Sequence, residues 1–373
     1  MANSNLTSAK KARNDEFYTQ YSDIQKEVSA YLMYNPNTFR DKVVYCNCDD
    51  PFESNFFKYF VLNFKRLGLK RLISTSYKPS RVANTQLGLF GDDKTIETAK
   101  GRPKITANKF IISDVGDYDG DGAFNLQDVA EQLKANKHNE WSPLEGDGDF
   151  RSPECIELLK QSDIVVTNPP FSLFREYIKQ LFDYEKKFIV IGNKGIVTYK
   201  EVFPLIRDNK MWSGSTIWSG GLWFETMNKD DVDRTIDGVN MKNVPAAWFT
   251  NLDHGRHHQP IPLMTMSENL KYSKHKVVKG KGYSKYEHYN AIEVPYTDAI
   301  PSDYEGVMGV PPTFLDKYSP DQFEIIGMAE DNGKGFSGMH EGNPIWDGTN
   351  PHCIVNGVAK NKRIFIRHRK ADK

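Results

Sequence analysis

The chain has 373 residues, 39% of them hydrophobic and 26% charged, and its 49 basic and 49 acidic side chains give a formal net charge of zero. That length supports a large core and two lobes, and no apolar run approaches the ~20 residues that span a bilayer. The polar start, Met1 to Lys11, has no apolar core for a signal peptide. Cys46, Cys48, Cys155 and Cys353 lack the paired spacing of a zinc site, so reduced thiols in a cytoplasmic protein are expected.

Residues 1–14 read as a flexible start, followed by Asp15-Glu16-Phe17-Tyr18-Thr19 and a helical pattern from Ser22 to Leu32. Lys42 to Cys46 reads as the first core strand. It runs into the polar loop Asn47-Cys48-Asp49-Asp50-Pro51 and a helix from Ser54 to Phe64. A strand whose polar end opens a helix is the first βα unit of a ligand-binding sheet. Lys70 to Thr75 is a second strand. Residues 76–104 then lose apolar periodicity and read as an exposed insertion. Within it, Gln86-Leu87-Gly88-Leu89-Phe90 resembles the short motif by which bacterial proteins dock on the replicative sliding clamp. Two anchors, Leu89 and Phe90, with Gln86 and Leu87 for orientation suit a pocket; the same apolar residues could instead fold back on the parent domain.

Lys109 to Ser113 is a third strand, and residues 114–149 form an acidic insertion. Asp117, Asp119, Asp121, Asn125 and Asp128 fall at positions 1, 3, 5, 9 and 12 of a loop with Gly122 at position 6, the spacing of a calcium loop of EF-hand type. The terminal Asp shortens the last ligand, and an acidic solvated turn is the alternative. Gly146-Asp147-Gly148-Asp149-Phe150 follows, just before Ser152-Pro153, an N-cap and first helical residue for a helix to Gln161.

Asp163-Ile164-Val165-Val166-Thr167-Asn168-Pro169-Pro170-Phe171 organises the chain. Its continuous β-branched run reads as a strand buried on both faces. Two prolines stop the strand, and Pro169 pushes Asn168 away from helical backbone. Asn168 is thus held at the carboxyl end of a strand, where open α/β sheets place ligands. The Asn168 amide oxygen and the Pro169 backbone carbonyl can accept both hydrogens of an exocyclic amine, which points the nitrogen lone pair at an electrophile. Phe171 can stack on the base that carries the amine, ahead of a helix from Leu173 to Tyr184. The bland alternative is an ordinary Asn-Pro turn.

Lys187 to Ile191 is a further strand and Tyr199 to Asp208 a helix. Ser215 to Phe224, with Trp218 and Trp223 around Gly220-Gly221, reads as a β-hairpin closing the antiparallel edge of the sheet, and Val244 to Phe249 as a last apolar strand. His254, His257 and His258 read as a surface loop rather than a metal site. Beyond Asn251 the pattern changes to Lys, Tyr, Pro and Gly. Lys271, Lys274, Lys276, Lys279, Lys281 and Lys285 are interleaved with Tyr272, Tyr283 and Tyr286, and the tail is basic at Lys360, Lys362, Arg363, Arg367, Arg369 and Lys370. Such polarisation lets a neutral chain grip phosphates with one face; a solvated basic loop is the alternative.

Asn168-Pro169-Pro170-Phe171 resembles the catalytic motif of S-adenosylmethionine-dependent amino-methyltransferases acting on adenine. Asn14 to Thr19, Tyr45 to Pro51, Asp149 to Cys155, Val165 to Tyr177 and Lys187 to Leu205 resemble the adenine-specific DNA methyltransferases of the EcoRI type, and the likeness runs from about Asn14 to Arg369. It implies a Rossmann-like α/β methyltransferase domain over residues 1–250 and a target-recognition, DNA-binding region over 251–373. It implies that Phe17 and Tyr18 lie against the methionine end of S-adenosylmethionine, and that Asp149 takes the cofactor's adenine amine while Phe150 packs on the ring. Cys46, Asn47 and Asp49 are expected at its amino-acid part, although the usual methyltransferase version of that turn is glycine-rich. Asn168, Pro169, Pro170 and Phe171 are implied as the catalytic loop, acting on an adenine flipped out of duplex DNA. A restriction-modification role beside a cognate restriction endonuclease and a solitary epigenetic role both stay open, no membrane partner is expected, and a structural calcium ion is a further expectation. The rival readings are an RNA adenine or cytosine-N4 DNA methyltransferase, a protein-glutamine methyltransferase, or a silent DNA- or clamp-binding scaffold.

Overall fold

The computed structural model describes residues 18–48, 54–77, 107–118, 120, 124–135, 138–226, 231–330 and 338–370. It divides into two units, Met1–Asn193 with Ser219–Asp253, and Lys194–Trp218 with His254–Lys373.

In the first unit the strands are β1 (Tyr18–Thr19), β2 (Val43–Cys46), β3 (Arg71–Thr75), β4 (Asn108–Ile112), β5 (Asn139–Pro143), β6 (Ile164–Thr167), β7 (Lys187–Asn193), β8 (Leu222–Glu225), β9 (Arg234–Ile236), β10 (Val239–Val244) and β11 (Ala246–Thr250). The helices are α1 (Tyr21–Tyr34), α2 (Asn55–Leu62), α3 (Leu126–Ala135), α4 (Pro153–Gln161) and α5 (Phe174–Asp183). The large sheet has the order β5-β4-β3-β2-β6-β7-β11 within this unit. Strands β3, β2, β6 and β7 are parallel, while β4, β5 and β11 join antiparallel. Every residue of β2 and β6 is buried, as parallel strands covered on both faces require. Val44, Cys46, Ile164, Val166, Ile189 and Ile191 share a core with α1, α2 and Trp248. The alternating positions Tyr45, Val165 and Val190 are buried too, with α4 packed on β2 and α5 on β7. This is the doubly wound α/β arrangement that the sequence predicts, with a mixed sheet.

The differences are local. The acidic insertion contains a strand, β5, that the polar sequence Asn139–Pro143 does not announce; it is held as an edge by pairing with β4. Ser215 to Phe224 is not a hairpin. Gly220 and Gly221 both turn with positive φ, and β8 pairs instead with β1 and β10. The hairpin of this region is β9–β10, closed by Asp237-Gly238, both with positive φ, as a tight two-residue turn demands. The predicted Tyr199–Asp208 helix shortens to Phe203–Arg207, with Pro204 inside its first turn.

The second unit has α6 (Phe203–Arg207), α7 (Met266–Tyr272) and strands β12 (Ile292–Glu293), β13 (Met308–Val310), β14 (Phe323–Met328) and β15 (Ile364–His368), ordered β12-β13-β15-β14. Thr265 and Glu268 form a reciprocal capping box on α7. Two of the three histidines are not at the surface: His254 and His257 are buried, while His258 is partly exposed. His254 Nε2 lies 2.9 Å from the Ser213 carbonyl oxygen, and His257 stacks on Trp212 at 4.1 Å. No described helix is long and apolar enough to cross a membrane.

Candidate active site

The carboxyl ends of β2, β3 and β6 present Asn47, Tyr77 and Asn168 along one edge of the sheet. Asn168 is half-buried and Pro169 buried. Pro170 lies at φ −56°, the value its ring fixes, and its carbonyl accepts from Leu173 N at 3.0 Å, so the loop passes through a 3-10 turn into α5. Phe171 is half-buried against the hydrophobic core rather than standing out as an exposed plate.

Asn47 is buried and braced twice. Its amide oxygen accepts from the Tyr177 hydroxyl, and its backbone carbonyl accepts from the Thr167 hydroxyl. Tyr177 belongs to α5 and Thr167 immediately precedes Asn168, so the loop after β2 is tied to both sides of the Asn168 loop. The tie engages the side-chain oxygen of Asn47, so the NH2 is the part of its amide not used in this bond. Cys48, the next residue, has φ +63°. That is the left-handed backbone that glycine adopts freely and other residues at a cost. The geometry of a glycine turn is therefore present without the glycine. Cys46 is buried within β2. The Cys155 thiol, on α4, is buried and its pKa is raised by burial.

Between β5 and α4, Gly148 has φ +80°, and a Cβ built there would collide with the Ser76 carbonyl oxygen. Only glycine lets this loop close on the end of β3. The closure sets Asp149 beside Tyr77, whose phenol is pushed up first by burial and then by Asp147 and Asp149. Phe150 is buried with its ring edge-on to Tyr177, centroids 5.1 Å apart. Asp149 accepts from Arg151 Nε at 2.9 Å, Arg151 Nη2 at 2.7 Å and Arg151 backbone N at 2.8 Å. Burial pushes the Asp149 carboxyl up, but its bonds with Arg151 outweigh this and the net shift is downward. The residue types and the tight closure at Gly148 fit S-adenosylmethionine: a carboxylate for an amine, an aromatic wall and an amide, all along one strand-end edge.

The described residues do not cover every expected position. Phe17, Asp49, Asp119, Asp121, Gln86, Leu87, Leu89 and Phe90 lie outside the described residues. Tyr18 is in β1, paired with Glu225. In the acidic loop, Asp128 is buried and accepts from the backbone N–H of Tyr118 at 2.6 Å and of Asn125 at 2.8 Å. Asp117 and Asn125 likewise accept from the backbone of Gly120 and Gln127, so these three side chains serve the local turn. In the second unit Lys271, Lys274, Lys276, Lys279, Lys281 and Lys285 are all exposed, and Lys274 pairs with Asp298 at 2.7 Å. Tyr286, by contrast, is core. Of the tail, Arg363 pairs with Glu293, Arg367 with Glu324, and Arg369 bonds the Pro320 carbonyl, so these guanidinium groups are already engaged. Tyr77, Arg151, Thr167 and Tyr177 were missed by sequence reasoning. Tyr77 fell within residues 76–104, which read as an exposed insertion, yet Ser76 is buried and Tyr77 half-buried; nothing in spacing marks the other three.

A family model described as "Adenine-specific methyltransferase EcoRI" matches residues 5–369. The chain belongs to this family. It is 41% identical over 365 residues to the type II methyltransferase M.EcoRI of Escherichia coli, covering 96% of this chain and 97% of that protein. It is 37% identical to the type II methyltransferase M.MpnI of Mycoplasma pneumoniae, covering 85% of this chain and 83% of the relative. M.MgeORF184P of Mycoplasma genitalium is 34% identical over a similar span. No solved structure matches the chain. As a member of the EcoRI adenine-specific methyltransferase family the chain is a methyltransferase, and the family implies S-adenosylmethionine as its methyl donor.

Proposed function

We propose that the chain methylates the N6 amine of a flipped adenine at a specific site in duplex DNA, with Asn168, Pro169, Pro170 and Phe171 as the catalytic loop. The observation that carries this is Asn168 at the end of β6, stiffened by two prolines and tied through Thr167 and Asn47 to the neighbouring strand. S-adenosylmethionine, when bound, supplies an electrophilic methyl group. The protein's part is alignment. The Asn168 amide oxygen and the Pro169 carbonyl accept the two amine hydrogens, and Phe171 stacks on the adenine. Water is excluded by the buried wall of Phe150 and Tyr177. No covalent enzyme intermediate is needed, since orientation alone can lower the barrier substantially. Asn47 and Asp49, with Cys46, would hold the amino-acid part of the cofactor, Phe17 and Tyr18 its methionine end, and Asp149 and Phe150 its adenine.

The second unit is the target-recognition part in this reading, and its exposed lysines contact phosphates. The relatives' designation as type II methyltransferases supports a restriction-modification role; a cytoplasmic location and a cognate endonuclease are further parts of this reading. Clamp docking through Gln86–Phe90 is a separate proposal: a pull-down on purified clamp should lose the chain with Leu89→Ala plus Phe90→Ala. Calcium at Asp117–Asp128 is another, read as heat in calorimetric titration and a rise in Tm.

The test of the main reading offers duplex DNA, single-stranded DNA and RNA to the protein with labelled S-adenosylmethionine. Label in N6-methyladenine of duplex DNA is expected. Label in RNA, in N4-methylcytosine or in protein would overturn it, as would bound cofactor with no transfer to any of these.

A further inference from the structure

Asp149 does not stand alone. Arg151 clasps it with Nε on one carboxylate oxygen and Nη2 on the other, at 2.9 and 2.7 Å. The remaining arm, Nη1, reaches Glu176 Oε2 on α5 at 2.8 Å. The guanidinium carbon also lies 5.3 Å from the centroid of the Phe150 ring. One planar cation thus fixes the carboxylate, leans on the aromatic neighbour and is anchored to the helix that follows the catalytic loop. A fork-to-fork pair sets the plane of the carboxylate as well as its position. Because Oδ1 also accepts from the backbone N–H of Arg151, the lone pair left to accept an amine is the second one of Oδ2. Without the clasp, an aspartate that directly follows the Gly146-Asp147-Gly148 turn would have more rotamer freedom.

We propose that Arg151 is a positioning residue for the cofactor: it presets the Asp149 carboxylate to receive the 6-amino group of the cofactor's adenine, and Glu176 holds it in place. The inference rests on the reading of Asp149 as the acceptor for that amine. The Asp149 clasp is the dominant contact, because both of its oxygens are engaged. The Glu176 contact is a single bond between two half-exposed side chains, so it trims the orientation rather than creating it.

The test is calorimetric binding of S-adenosylhomocysteine and of its analogue with purine in place of adenine, which lacks the 6-amino group. Wild type should prefer the adenine compound. Arg151→Gln should weaken the adenine compound about tenfold and leave the purine analogue unchanged, with Tm confirming the fold. Arg151→Lys should recover part of the loss, because a point charge cannot reproduce the fork. Arg151→Gln added to Asp149→Ala should cost little more than Asp149→Ala alone. Equal weakening of both compounds by Arg151→Gln, or of neither, overturns the inference. Asp149→Ala separates the two levels. If it erases the preference while Arg151→Gln does not, only the role of Arg151 falls. If it leaves the preference intact, the reading of Asp149 falls and takes this inference with it.

Discussion

Two loops leave the same edge of the sheet side by side, and they are stiffened in opposite ways. The loop after β6 carries its stiffness in its own covalent structure: Pro169 and Pro170 fix backbone angles and restrict Asn168 before any tertiary contact forms. The loop after β2 turns at Cys48 without a glycine there. It holds Cys48 in left-handed backbone and relies on Tyr177 and Thr167, far along the chain, to pin Asn47. One loop is preorganised by sequence, the other by fold. A methyl transfer that depends on alignment needs both, since acceptor and donor must each be held.

The comparison can be broken at the distant brace first. Tyr177→Phe removes the donor to a buried amide oxygen and should cost about 1–3 kcal/mol. Urea unfolding should show the loss, and Asn47→Ala in the same background should add much less than it does alone. Strictly additive effects would mean that the two side chains are not coupled.

The backbone of the β2 loop gives the next effect. Cys48→Val puts a β-branched side chain at φ +63° and should cost about 1–2 kcal/mol. Cys48→Gly should melt within a degree or two of wild type or above it, because relief of strain offsets the added freedom of the unfolded chain. A valine variant as stable as the glycine variant would remove the argument for strain.

On the β6 loop, Pro170→Ala should cost only ~0.5–1 kcal/mol, acting through the unfolded state. A loss as large as that of Tyr177→Phe would show that this loop too depends on distant contacts. The smallest effect belongs to the second unit. Lys271→Gln, at an exposed residue, should change DNA affinity little at one salt concentration while lowering the slope against log salt by about 0.9. An unchanged slope would remove Lys271 from the phosphate contacts.

These contrasts also explain what the sequence discloses. The strand Ile164–Thr167, the stop at Pro169-Pro170 and the capped helix at Ser152-Pro153 are local patterns, and each appears where the pattern puts it. Trp248 and its neighbours appear as the antiparallel strand β11 for the same reason. The clasp of Asp149 by Arg151 was hidden despite its closeness in sequence, because spacing gives no rotamer. Tyr177 was hidden because a tyrosine on an amphipathic helix reads as core, which it also is. His254 and His257 read as surface because histidine clusters usually are, yet partners at Ser213 and Trp212 bury them. The strand β5 depends on pairing with β4 across a long separation that composition does not encode, whereas the β9–β10 hairpin carries a local signal, Asp237-Gly238, that the sequence reading passed over.

The account stands on Asn168 as the residue that aligns the amine. Its most direct test is single-turnover methylation of a duplex oligonucleotide by wild type and Asn168→Ala, with the affinities for S-adenosylhomocysteine and for the duplex measured on the same preparations. The account predicts that both affinities stay within a few-fold while formation of N6-methyladenine slows by about 10²–10³-fold or more. A rate within a few-fold of wild type, or a slowing fully matched by lost affinity, would contradict it.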